Sequence, residues 1–367
     1  MTFDHVNLMR IRIASEIEYI CAHQCHHTNR ITTLLDSLSQ LMNAIVAVPF
    51  NAADKKQVEE VLKQLGTIEN VLEYIKHTST SNLFGEVFSC LRIALEEWCD
   101  DSDNYVMVTG PGSFAFTYFK PDYELEVIKT KYMIPFPVMP VQFNLPSHLE
   151  HDFLGNVSLY HELGHFVDSL KSFSDSAYNA YITDKTTLTD KEKQFFLNDF
   201  AGNPQPPKDD MTRAYFSEYF ADLFAAQYLS AAHIYALNLK AFKNPFSDDH
   251  PSTDSRVALV ETFLKNSGEG LALVQLFKNA VQKVTNNAKQ LSNKSYLPDM
   301  TPLKKSQPCV ISKDEELHGI FIAGWRAWLN KNSYFMDTNG KPLDDLTAYK
   351  LLRKLIKQSI SDYISKR

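Results

Sequence analysis

The sequence predicts an α+β chain that is mostly α, with a helical N-terminal domain, a small antiparallel sheet and a long, chiefly helical remainder. Three observations carry this. Apolar residues recur at helical spacing from residue 4 to about residue 100, the stretch from Tyr105 to Leu145 alternates and breaks as strands do, and helical periodicity returns from about residue 157. At 367 residues, 44% hydrophobic and 22% charged, the chain has the composition of an ordinary globular protein of about two domains. The change of texture at Asp100-Asp101-Ser102-Asp103 divides it into residues 1–102 and 103–367.

In the first domain, Ile31, Leu34, Leu35, Leu38, Leu41 and Ile45 form one helical stripe, stopped at Pro49-Phe50-Asn51. Asp54 can cap a second helix through Val61, Leu62, Leu65, Ile68, Val71 and Leu72. Ser81 can start a third, with Phe84, Val87, Phe88, Leu91 and Leu95 on its inner side. Three antiparallel helices make a bundle or lid. Nothing in them states a chemistry.

From 105 to 145 the strand candidates are YVMV, SFAFTYF, YELEVI and the proline-punctuated IPFPVMPVQFNLP, separated by GPG and KPD. They predict three or four antiparallel strands, with the prolines on an edge. Helices are then expected over 157–170, from about 210, and over 254–286, 313–330 and 345–365. Lys171 to Lys208 is polar and holds Pro204, Pro206 and Pro207, which predicts a long surface excursion.

Several classes are disfavoured. A formal net charge of −7 argues against a nucleic-acid partner or an anionic membrane surface, both of which need a positive field. No apolar run is long enough to span a membrane, and the first twenty residues carry acids and arginines among their apolar positions, unlike a secretory signal. Five widely spread cysteines fit reduced thiols and a cytoplasmic location.

Residues 160–168 read Tyr-His-Glu-Leu-Gly-His-Phe-Val-Asp. On a helix, His161 and His165 are four apart, point the same way and can share one cation. Glu162 is rotated about 100° from His161, beside the metal rather than on it, where a carboxylate can move a proton. Tyr160, Leu163, Gly164 and Val167 make the buried stripe of the same helix. The bland alternative is a surface helix with two satisfied histidines.

A catalytic zinc usually takes a third protein ligand. A metzincin would need Gly at 168 and His or Asp at 171, where this chain has Asp168 and Lys171. Residues 217–228 read Ser-Glu-Tyr-Phe-Ala-Asp-Leu-Phe-Ala-Ala-Gln-Tyr, with Glu218 and Asp222 on one face of an otherwise apolar helix. Carboxylates there are costly unless paired or bound to metal. An exposed polar edge of an amphipathic helix is the alternative.

HELGHFVD followed by EYFADLFAAQYL resembles the zinc-binding helices of gluzincin metallopeptidases, over about a third of the chain. The resemblance implies a zincin-like catalytic domain, one zinc per chain held by His161, His165 and Glu218, and Asp222 behind them orienting a ligand histidine. The 52 residues between His165 and Glu218 exceed the spacing in compact members. His250-Pro251 with Arg256 is similar to the HP-x-x-x-x-R segment of CAAX-prenyl endopeptidase relatives, which implies His250 and Arg256 near the site. The plainer reading makes this a helix start capped by Ser252 or Asp254.

The expected function is zinc-dependent peptide hydrolysis, most simply by an endopeptidase, with Glu162 as general base. Tyr215, Tyr219, His250 and His318 are candidate donors to the oxyanion. An edge strand within 133–143 could pair with an extended peptide. The alternative is a catalytically idle, zinc-organised regulatory or binding protein that meets a protein partner through its N-terminal helices; an intact Glu162 speaks against it. Cys21-Ala-His23-Gln-Cys25-His26-His27 and Cys309 are weaker metal candidates, and His318, Trp325 and Trp328 read as core.

Overall fold

The computed structural model describes residues 3–23, 29–49, 51, 54–80, 85–112, 117–119, 122–146, 149, 152–183, 209–240, 245 and 247–367. Its elements are helices α1 (Phe3–His23), α2 (Asn29–Ala47), α3 (Lys55–Thr80) and α4 (Gly85–Trp98), strands β1 (Tyr105–Gly112) and β2 (Thr117–Phe119), helix α5 (Asp122–Tyr132) and strand β3 (Met139–Pro146). Then follow α6 (Leu159–Lys171), α7 (Phe173–Thr183), α8 (Asp209–Leu229), α9 (Ala231–Lys240), α10 (Thr253–Lys265), α11 (Leu271–Val284), α12 (Asp314–Leu329) and α13 (Asp345–Ile364). The chain is mostly helical, and no described helix is long and apolar enough to cross a membrane.

These elements form two compact units, Met1–Leu83 with Asp100–Glu150, and Phe84–Cys99 with His151–Arg367. This differs from a division at 102/103 in two ways. The sheet belongs with the N-terminal helices, because β1 packs on α3. Helix α4 belongs with the C-terminal unit, because its buried Val87, Leu91, Leu95 and Trp98 face α6, α12 and α13.

In the first unit the expected stripe on α2 is buried from Ile31 to Ile45, and α3 buries Val61, Leu65, Ile68, Val71 and Leu72 against it. Asp54 caps α3, its Oδ1 accepting the N–H of Lys56 at 3.0 Å. Ser81 lies outside the described residues.

The sheet corrects two expectations. Its order is β1-β3-β2, with β1 and β3 parallel from Tyr105↔Met139 to Gly112↔Pro146; only β2 and β3 run antiparallel. A parallel pair needs a crossover, and part of it is the segment YELEVI, which alternates in sequence yet forms α5. There Leu125 and Ile128 are buried while Val127 is 49% exposed, the three-residue spacing of a helix. The proline-bearing strand β3 is therefore central rather than an edge, and β2 pairs only with Gln142–Asn144, between Pro140 and Pro146. Within 133–143, where a peptide-pairing edge was expected, β3 pairs with β1 from Met139 onward and with β2 at Gln142 and Phe143.

In the second unit, α8 is enclosed: every residue from Glu218 to Leu229 is buried. It packs against α6, α7, α9, α10 and α12. Trp98, Phe173, Phe220, Phe224 and Phe277 build the aromatic core around it, with Trp98 and Phe173 rings 5.6 Å apart. The polar stretch after Lys171 is not all loop. Ser172 turns the chain with φ 57°, and Asp168 accepts the backbone N–H of Ser174 at 2.8 Å, which starts α7; residues 184–208 lie outside the described ones. The single helix expected over 254–286 is two, α10 and α11, divided near Gly268 and Gly270, both at positive φ.

Helices α6 and α8 meet at Gly164. A Cβ there would lie 2.9 Å from Ala221 Cα and 3.1 Å from Phe224 Cβ, so only glycine permits the approach. Gly164 sits between His161 and His165, and Ala221 between Glu218 and Asp222, so this crossing sets the spacing of the four side chains. Gly164→Ala is expected to push the helices apart, lower stability by about 1–3 kcal/mol and weaken metal binding. Denaturant unfolding and a zinc titration read both effects. A variant with unchanged unfolding and zinc affinity would show that the contact is dispensable.

Candidate metal centre

His161, His165, Glu218, Asp222 and Arg256 come together from α6, α8 and α10, all within the second unit. The imidazole Nε2 atoms of His161 and His165 are 3.0 Å apart. Glu218 closes a triangle, its Oε1 lying 3.1 Å from His165 Nε2 and its Oε2 3.3 Å from His161 Nε2. Donors bound tetrahedrally to a common zinc at about 2.1 Å stand about 3.4 Å from one another, so the three edges are close to what one ion requires. Glu218 Oε2 is buried and accepts no hydrogen bond, an acceptor that a cation would satisfy.

Behind the triangle, Asp222 is fully buried. Arg256 grips it with two bonds, Nε to Oδ2 at 2.7 Å and a terminal nitrogen to Oδ1 at 2.8 Å. Arg256 also reaches Glu218 Oε2 at 3.4 Å and interacts with the charge of Glu162. His161 Nδ1 lies 3.0 Å from Asp222 Oδ1. An imidazole that gives its Nδ1 proton to a carboxylate presents an Nε2 lone pair, here toward Glu218 and His165.

The electrostatics ask for positive charge at this point. Burial opposes ionisation of Glu218 and Asp222, yet Glu218 is held well below the ordinary carboxylate range by His165, His161 and Arg256, and Asp222 by Arg256 and His161. Burial likewise opposes a charge on His161, but Glu218 and Asp222 outweigh it and raise this imidazole to about 10. Glu162, Glu218 and Asp222 are all buried, and one guanidinium faces the three carboxylates. With His161 protonated they leave one negative charge, and a divalent cation that displaces that proton meets two.

A second group, His161, Asp222 and His233, is also compact enough to hold an ion. Arg256 decides between the two. Both oxygens of Asp222 already accept from it at 2.7 and 2.8 Å, whereas it comes no nearer than 3.4 Å to the triangle, at Glu218 Oε2 and His161.

Helix α10 brings in Arg256. Ser252 caps it, accepting the N–H of Ser255 at 3.2 Å, so the segment is a capped helix start that also places Arg256 beside Asp222 and Glu218. Just before it, His250 is half exposed, with Nε2 3.6 Å from Glu218 Oε1 and Nδ1 2.9 Å from Asp249 Oδ1. Of the four oxyanion candidates, His250 has this placement. Tyr215 donates instead to the Ser247 carbonyl at 2.7 Å, Tyr219 is fully buried, and His318 Nδ1 is 2.9 Å from the Tyr160 hydroxyl. Cys309 joins neither metal group among the described residues, and Cys25, His26 and His27 lie outside them.

Sequence reading missed His233 and Asp249. Asp249 adjoins a singled-out histidine, so that neighbour was the available signal. His233 had none.

His318 carries a pH prediction. Burial, with Lys294 and Arg367 nearby, lowers it to about 3, against about 6.5 in an unfolded chain. Between these values the unfolded state binds the extra proton, so the stabilising contribution is complete above about pH 6.5 and is lost as pH falls toward about 3. The slope is about 1.4 kcal/mol per pH unit. Urea unfolding of His318→Asn between pH 4.5 and 7.5 is expected to show a shallower acid loss than wild type, and parallel curves would refute it.

No protein-family model matches the chain, and neither does any curated protein or solved structure.

Proposed function

We propose that this chain is a zinc-dependent peptidase with a zincin-like site, in which His161, His165 and Glu218 hold one zinc and Glu162 is the general base. The observation that carries the reading is the triangle of two imidazoles and a carboxylate, with edges of 3.0 to 3.3 Å, beside a further carboxylate on the same helix. Neutral imidazole and carboxylate donors suit zinc. Bound there, zinc supplies a Lewis acid that brings the acidity of water near neutrality and polarises a carbonyl.

The chain's own residues do the rest. Glu162 takes the proton of the attacking water and passes it to the leaving amine. Asp222 fixes His161 in the tautomer that leaves Nε2 as a donor, and Arg256 keeps Asp222 ionised in its buried place. His250 stands beside Glu218 with Asp249 accepting from its Nδ1, so only the ring protonated on both nitrogens donates from Nε2 to negative charge developing on the carbonyl oxygen. The substrate class is a peptide or protein. A cytoplasmic setting belongs to the same proposal, supported by the odd, widely spread cysteines.

Incubation of the full chain with unfolded casein tests the reading. Cleavage is expected, is stopped by 1,10-phenanthroline and returns with added zinc. A zinc-loaded chain that cleaves neither casein nor a random peptide library would remove the peptidase assignment and favour a zinc-organised regulatory protein.

A further inference from the structure

The second imidazole on Asp222 is not part of the motifs. His233 is 2% exposed, and its Nε2 lies 2.9 Å from Asp222 Oδ1, the oxygen that also faces His161 Nδ1 at 3.0 Å and Arg256 at 2.8 Å. A carboxylate only accepts, so the His233 proton is on Nε2. Its Nδ1 is then a bare acceptor, buried and without a hydrogen-bond partner. The ring runs nearly parallel to that of His161, at 17° with centroids 6.2 Å apart.

The backbone places it there deliberately. His233 is eleven residues beyond Asp222, which on an uninterrupted helix is the same face but about 16 Å further along. Helix α8 instead ends at Ser230, whose φ of 50° is left-handed, and α9 starts afresh, with the His233 N–H on the Ser230 carbonyl at 3.2 Å. A serine in that conformation and a buried unpaired nitrogen each cost stability. Packing alone would be served as well by an apolar side chain of similar size.

Resting on the zinc reading above, we infer that His233 is a positioning residue: its Nε2–H fixes Asp222, and Asp222 in turn fixes the ring and tautomer of His161. With Arg256 and His233 both donating, the carboxylate cannot rotate away from His161 Nδ1. His161 therefore holds the same face toward His165 and Glu218 whether or not metal is bound.

The test compares wild type, His233→Leu and His233→Gln as full-length proteins, with zinc affinity from competition against a chelating dye and the visible spectrum of the cobalt(II) form. His233→Leu is expected to bind zinc about 10–100-fold more weakly, as losses of such outer partners do, and to give an altered cobalt spectrum. Its metal-free unfolding midpoint is expected to change little, since the lost hydrogen bond to Asp222 is offset by removal of the unpartnered Nδ1. His233→Gln, which restores an N–H donor, is expected to recover much of the affinity. Equal zinc affinity and cobalt spectra in wild type and His233→Leu would overturn the inference and leave the zinc site standing. So would a loss of metal-free stability that Gln fails to repair along with affinity. Failure of wild type to take up either metal would overturn the inference and the zinc reading together.

Discussion

Glu162→Gln is expected to keep its zinc and to lose peptide hydrolysis by about 10²–10⁴-fold, the usual contribution of a positioned general base. The substitution preserves shape and removes only the ability to take a proton. Glu162 is one residue along α6 from His161 and is not a member of the donor triangle, so the substitution leaves all three ligands in place. The comparison is made on proteins of equal zinc content, with a quenched peptide as substrate. A variant that cleaves as fast as wild type would mean that another group moves the proton, or that the cleavage is a contaminant's.

Glu218→Ala is expected to give the largest change in metal binding, weakening zinc on the order of 10³-fold if three ligands share the binding energy of a structural or catalytic site. In the metal-free chain the substitution also removes the partner of His161, His165 and Arg256, so some loss of stability is expected beside the loss of zinc. Circular dichroism and an unfolding curve on the same sample separate the two effects. Retained zinc affinity in a folded Glu218→Ala protein would move the third ligand elsewhere and undo the pairing of α6 with α8 as a metal centre.

What the sequence made legible follows from helix geometry. Residues four apart share a face, so His161 with His165 and Glu218 with Asp222 could be read as pairs without knowing the fold. Arg256 was reachable through the segment it shares with His250. What joins the pairs was not legible. The helices meet because Gly164 lets Ala221 approach, a contact across 57 positions that no periodicity encodes. His233 was hidden by one left-handed serine, which folds a distant position back onto Asp222.

The sheet failed for a similar reason. The alternation in YELEVI fits a strand and a one-sided helix equally over so short a run, and the burial of Leu125 with Ile128 decides for helix only in the folded unit. Reading it as a strand removed part of the crossover, and with it the parallel pairing of β1 and β3. The prolines of β3 looked like edge markers, whereas they lie on either side of the three residues that β2 pairs with.

The central claim, that His161, His165 and Glu218 hold one zinc, is tested most directly by elemental mass spectrometry of the purified chain beside the Glu218→Ala variant. About one zinc per wild-type chain, lost or sharply reduced in the variant, is the predicted result. A wild-type chain that holds no zinc, even after metal is added to the folded protein, would contradict it and leave the triangle as a buried ion-pair network.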